Sequence, residues 1–277
     1  MTLHVSPWEG VIPLSEPAKL DTLSTVRVRL AVTPPVARIR LIHPPLNVID
    51  IPMMLELQET LAELEARLDV STIVFEGDAR AFSAGVDVEA HVPDQVGEML
   101  TSFHGVIRAI VASRKITIAV VQGVCLGGGS ELAAVCDMVY TARDATWGFP
   151  EIKLGCYPPV ATIALPALVG QKRASELILT GRQISGDEAV AIGLANRSAR
   201  ADELDAVVQE TLSQLQAMSP VALAHAKKSI YAWDAIHFDK GLARAERIYL
   251  EELMTTEDAR EGIAAFLEKR PPKWTGK

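Results

Sequence analysis

Residues 122–138, QGVCLGGGSELAAVCDM, decide how this chain is read. An apolar run ends in three glycines, Gly127, Gly128 and Gly129, and Glu131 follows two positions later in an apolar helix start. A strand running through glycines into a helix leaves its backbone open to close approach. No GK[ST] follows, so a phosphate-binding loop does not fit, and neither GxGxxG nor a Gly-x-Ser-x-Gly elbow around Ser130 is present. Two readings remain. One is a plain tight turn; the other is an amide pocket, where N–H groups at a helix start meet negative charge on a ligand. Such donors matter most where charge develops during reaction, as on a carbonyl oxygen becoming an enolate.

Working outward, ITIAVVQG (116–123) reads as the strand before the glycines and DMVYTA (137–142) as the strand after the helix. Val26, Val28, Leu30 and Val32 alternate along a further strand, and ARIRLI (37–42) returns from the TPP turn to make a hairpin. Asp50 can cap a helix with Pro52 in its first turn, and Leu57, Leu61, Leu64 and Leu68 continue that helix as one apolar stripe. TIVFEG (72–77) is a short buried strand, AFSAGVDVEAH (81–91) a loop, and 95–113 a helix. After Ala199 only helical patterns follow, at 202–217, 220–233, 240–254 and 257–268. The plan is α/β: an irregular, Pro-rich arm over 1–22, a βα core over 23–199 and a helical region over 200–277.

With 277 residues, 49% of them hydrophobic, the chain can bury a large core. A net charge of −8 without a basic run argues against nucleic acid or an anionic membrane surface as a partner. The first 22 residues carry Glu9 and Glu16 and no apolar h-region, and no apolar run reaches the ~18 residues of a membrane span, so a cytoplasmic protein is expected. Cys125, Cys136 and Cys156 show no CxxC spacing and are expected as buried free thiols. The histidines lack HExxH or H-x-x-x-H spacing, so no metal site is expected; His43, His91 and His104 read as surface or pocket-edge residues.

An amide pocket needs a second donor, and SAGVD (83–87) offers one at Ala84. A second carboxylate, Glu151, follows Pro150 in TWGFPEIKLG (146–155). Taken singly, Glu131 is a carboxylate near a helix N-terminus and Glu151 a solvated loop residue. Taken together, they are two titratable groups that could straddle one water beside an activated carbonyl.

AFSAGVD, QGVCLGGGSELAAVCD and WGFPEIKLG, in this order and spacing, resemble the crotonase (enoyl-CoA hydratase/isomerase) superfamily, from about residue 25 to EGIAAFLEKRPPKW near the C-terminus. The resemblance implies a spiral of repeated ββα units, a helical C-terminal region that forms trimers or hexamers, and a coenzyme A thioester substrate without a separate cofactor. It places the oxyanion-hole amides at Ala84 and Gly128, the acid–base pair at Glu131 and Glu151, and coenzyme A contacts at Val86, Asp87 and Val88, with a further one near Leu46. The implied reaction is addition of water to a C=C conjugated with the thioester; isomerisation and thioester hydrolysis on the same scaffold are alternatives, as is a non-catalytic acyl-CoA binder. Where straight-chain hydratases carry a glycine-rich run, this chain reads IKLGCYPPVATIALPALVG (152–170). That segment is either simple drift or an acyl pocket reshaped by Tyr157, Pro158 and Pro159 for a flat or cyclic group, while Trp147 and Phe149 read as core or acyl-pocket residues. The PEIKLG…PPVA pattern resembles the cyclohexa-1,5-diene-1-carbonyl-CoA hydratases of the family.

Overall fold

The structure, a computed structural model, describes residues 26–92, 94–231 and 234–276. The expected N-terminal arm over 1–22 lies outside them. The chain opens with the hairpin β1 (Val28–Thr33) and β2 (Val36–Leu41), then α1 (Ile51–Ala66), β3 (Thr72–Glu76), β4 (Ala81–Ser83) and α2 (Val96–Ala112). The glycine segment gives β5 (Ile116–Val121), β6 (Val124–Leu126) and α3 (Gly128–Ala134), followed by β7 (Met138–Ala142) and β8 (Thr146–Gly148). Then come α4 (Pro159–Val169), α5 (Gln171–Thr180), β9 (Gln183–Ser185), α6 (Gly186–Ala191) and β10 (Arg197–Ala199). Four helices close the described chain: α7 (Leu204–Gln216), α8 (Pro220–Tyr231), α9 (Asp234–Arg247), which runs on into a π-helical stretch Ile248–Leu253, and α10 (Glu257–Leu267).

Two sheets carry the strands, in the orders β1-β2-β3-β5-β7-β10 and β4-β6-β8-β9. Consecutive strands are dealt alternately to the two: β3, β5 and β7 pair in parallel in the larger sheet, while β4, β6 and β8 pair in parallel in the smaller. Each repeat therefore turns a corner between two short strands, and the stack of corners is the spiral of ββα units that the sequence motifs imply. Gly123 makes one such corner. It holds φ +60°, and a side chain there would run into the Arg80 carbonyl. Gln122 and Gly123 thus split what reads in sequence as one strand over 116–123 into β5 and β6. Residues 81–83, read as loop, form the edge strand β4 for the same reason.

Asp50 caps α1 as its position suggests, accepting the Met53 N–H at 3.0 Å. The leucine stripe is shorter than expected, however. The helix ends at Ala66, and Leu68 beyond it is 92% exposed: Arg67 adopts extended backbone (φ −77°, ψ 120°), and its carbonyl accepts from Lys115 Nζ at 2.5 Å. The C-terminal helices are tied to the core by a buried ion pair: Lys227 of α8 lies 2.8 Å from Asp137, which also accepts the Thr117 N–H and Oγ1–H of β5. The three cysteines are free and buried. Among the described residues no helix is long and apolar enough to cross a membrane.

Candidate active site

Glu131 sits in the first turn of α3, and every residue of that helix is buried. A single hydrophilic side chain within an apolar element must find partners or lose its charge. Its Oε1 accepts the Ala161 N–H at 2.9 Å, and the Val160 N–H also supports it. Both amides belong to the first turn of α4, where N–H groups have no intrahelical acceptor and the helix dipole favours an anion. The PPVA sequence explains why they are available. Pro158 is the N-cap, Pro159 occupies the first helical position without an N–H of its own, and Val160 and Ala161 present theirs to Glu131.

Glu151 arrives from the 3-10 turn Pro150–Leu154. Its carboxylate rests on Gly127: a Cβ there would lie 2.7 Å from Glu151 Oε1, and Gly127 also holds φ +52°. Glycine is thus required at this position twice over, by backbone conformation and by the carboxylate above it. Oε2 of Glu151 is buried without a hydrogen-bond partner among the described residues.

Both glutamates line one small cavity of about 30 Å³, room for one water. Its remaining wall includes Val86, Phe103, His104, Tyr157, Pro159 and Tyr249. Burial pushes the Glu131 carboxyl up to about 7 against the pull of its two amides. Glu151 is raised well above the usual carboxylate range, first by burial and then by the neighbouring charge of Glu131. The two environments differ: Glu131 accepts two amides of α4, while Glu151 has only its own backbone N–H and one oxygen without a donor. A larger cavity, about 210 Å³, lies against β1, β2 and α7, but no carboxylate lines it.

The amide pocket requires a correction. The Ala84 N–H is already committed to the Leu46 carbonyl at 2.8 Å, so it cannot serve a ligand. Gly85 N–H donates to Ser83 Oγ at 3.0 Å and Asp87 N–H to the Ile49 carbonyl at 3.1 Å. By elimination the free amide of this loop is Val86, whose nitrogen would lie 3.3 Å from a Cβ placed on Gly128. Gly128, first residue of α3, has an N–H without an intrahelical acceptor. The two open amides are therefore Val86 and Gly128. The sequence showed a small residue beside a glycine but could not show which N–H the 43–49 loop would take. The same bonds hold Leu46 against the 84–87 loop, and the Asp87 carboxylate caps the turn Val88–His91 through Glu89 N–H.

The acyl-pocket residues divide. Tyr157 lines the cavity, with its hydroxyl donating to the Ala245 carbonyl at 2.7 Å and its ring edge-on to Tyr249 at 5.3 Å. Trp147 does not line it: the indole is fully buried in the core, and its N–H donates to Thr141 Oγ1 at 3.0 Å. Pro158 is spent on the α4 N-cap, and Pro159 takes the wall position instead. Phe149 is a core residue at 1% exposure. Tyr249 escaped the sequence reading altogether. It lies in the π-helical stretch nearly a hundred residues from Glu151, where periodicity shows only another buried aromatic.

A profile of the enoyl-CoA hydratase/isomerase family matches residues 33–277. The chain is 36% identical over 239 residues to cyclohexa-1,5-dienecarbonyl-CoA hydratase of Thauera aromatica, covering 86% of this chain and 92% of that protein. It is also 36% identical to the human mitochondrial enoyl-CoA hydratase domain-containing protein 2, over 80% of this chain and 79% of that one. Among solved structures, an enoyl-CoA hydratase from Mycobacterium avium subsp. paratuberculosis superposes with a TM-score of 0.82 at 27% identity, covering 90% of this chain and 99% of the other. On its motifs, its two-sheet spiral and these relatives, the chain belongs to the enoyl-CoA hydratase/isomerase family.

Proposed function

We propose that the protein is a hydro-lyase that adds water across a C=C conjugated to a coenzyme A thioester. One observation carries the reading: two buried carboxyls share a cavity of one-water size, Glu131 held by amides of α4 and Glu151 with one oxygen unpartnered. Glu131, ionised against the α4 amides, holds the water and takes a proton from it as oxygen bonds to the β-carbon. The π electrons move to the α-carbon and the thioester oxygen, where the amides of Val86 and Gly128 meet the developing charge. Glu151, protonated, then delivers its proton to the α-carbon, and the proton taken up by Glu131 passes across the shared cavity to Glu151, through a water, to restore the starting state. Each amide of such a pair is typically worth ~10²–10³ in rate. The scheme calls for no metal or nicotinamide, since acid, base and charge stabilisation all come from the chain.

For the acyl group we favour a cyclic dienoyl thioester of the cyclohexa-1,5-diene-1-carbonyl class over a straight-chain enoyl group. Support comes from the Thauera aromatica relative and from the rigid Tyr157–Pro159 wall. A six-membered ring exceeds a cavity of about 30 Å³, so its admission requires the α2 side chains to part from Tyr157 and Tyr249. Coenzyme A would lie along Leu46 and Val86–Val88. A homotrimer or a pair of trimers is the proposed assembly, in the cytoplasm, with the exposed Val221, Ile230, Phe266 and Trp274 as apolar surface for subunit contact. Light scattering on the purified protein reads that mass directly.

The deciding assay incubates the protein separately with crotonyl-CoA and with cyclohexa-1,5-diene-1-carbonyl-CoA and weighs the products. Gain of one water without free CoA is the expected result, faster for the cyclic ester. Free CoA would make the enzyme a thioester hydrolase, an unchanged mass with a moved double bond an isomerase, and binding without turnover a carrier.

A further inference from the structure

His104 is fully buried on α2, in the wall of the same cavity as Glu131 and Glu151. Its Nδ1 lies 2.6 Å from Glu246 Oε1 of α9, and that oxygen also accepts from Arg108 Nη2 at 2.9 Å. Arg108 Nε donates in turn to Asp239 at 3.1 Å, so ring, carboxylate and guanidinium form one locked set across two helices. The other ring nitrogen, Nε2, is buried without a hydrogen-bond partner among the described residues. If the set existed only to tie α2 to α9, the Arg108 bonds would suffice, and a second imidazole nitrogen left unpaired in an apolar wall would weaken it. The neighbours of His104 on that wall, Met99, Leu100 and Phe103, offer Nε2 nothing.

We propose that His104 is a specificity-determining residue: its Nε2 hydrogen-bonds a hydroxyl on the acyl group, beyond the carbons that react. With Nδ1 held by the Glu246 carboxylate, Nε2 is the ring's open polar atom, and a hydroxyl, which can both donate and accept, is the group that pairs with it. Glu246 acts as a positioning residue that fixes the ring orientation. Within the cyclic dienoyl class favoured above, the subsite prefers members that carry a further ring hydroxyl over the unsubstituted ester. This rests on the acyl-CoA reading above, since it assigns the cavity to the acyl group.

Binding of unreactive probes tests it without needing turnover. Cyclohexane-1-carbonyl-CoA and its 3-hydroxy and 4-hydroxy derivatives are titrated calorimetrically against the wild-type protein and His104→Phe, which keeps a ring of similar shape. The wild type should bind at least one hydroxylated probe ~10-fold or more tighter than the parent, as one hydrogen bond to a buried ring nitrogen allows. His104→Phe should level the probes, with the parent bound no worse. Equal binding of all three by the wild type overturns the proposal by itself, whether or not the variant folds, and shows Nε2 to pair with water only. A preference that survives His104→Phe overturns it too. Loss of preference in the variant, with no hydration of any enoyl ester, would leave the subsite standing and remove the hydratase reading. Hydration without a hydroxyl preference would do the reverse.

Discussion

Glu131 and Asp137 lie six residues apart in the same motif, one carboxylate buried and the other largely so, and the fold treats them in opposite ways. Asp137 is fully provided for: Lys227 at 2.8 Å, with Thr117 N–H and Oγ1–H at 2.7 and 3.0 Å. Lys227 itself is 4% exposed and also donates to the Lys115 carbonyl at 2.8 Å. Glu131 receives amides on one oxygen and, across the cavity, a second carboxyl that opposes its charge. The first arrangement spends buried charge on holding α8 against the core. The second leaves acid–base capacity unsatisfied, which is the condition for doing chemistry and a burden on stability.

The contrast can be broken most sharply at the cavity. Glu131→Gln and Glu151→Gln should each lower kcat/KM for the hydrated enoyl ester by ~10²–10⁴, with thermal midpoints equal to wild type or higher. Turnover within a few-fold of wild type in either variant would remove the two-carboxyl mechanism. Asp137 is expected to reverse the pattern. Lys227→Met strands its charge, and should lower stability by about 3–5 kcal/mol in denaturant titration while the surviving folded protein keeps its kcat. A loss of kcat in that folded fraction would show the two regions to be coupled.

The smallest effect is the pH dependence of stability. The Glu131 carboxyl is raised from 4.5 to about 7 on folding, so the folded state holds its proton more tightly than the unfolded chain does. Its stabilising share is complete below about 4.5 and is lost as pH rises through about 7. Glu131→Gln has no such proton, so it should gain on the wild type between pH 5 and 8 by roughly 1–3 kcal/mol, measured by denaturant titration at both values. A constant difference would mean that the buried carboxyl carries no strain.

How much of this was legible beforehand depended on range along the chain. Asp50 as a cap, the β1–β2 hairpin and the α3 turn all rest on contacts within a few residues, and their local chemistry was enough. The Leu68 stripe failed because the chain turns extended at Arg67, where its carbonyl meets Lys115 from a segment nearly fifty residues later. The motifs named the two glutamates and Gly128 through resemblance. They misplaced one amide, because the Ala84 N–H is consumed by a loop some forty residues earlier. Trp147 looked like a pocket wall for want of any sign that its N–H would reach Thr141 in the core.

The sequence by itself determined the family, the alternation of strand and helix, and the pair of acids, since these are properties of residue type and spacing. Only the tertiary structure decided which acid has amide support, which backbone donor stays open, and that a tyrosine and a histidine from distant helices close the cavity. Those outcomes turn on hydrogen bonds between segments that meet only after folding, and a buried donor or acceptor is available to a ligand just when no other part of the chain has claimed it.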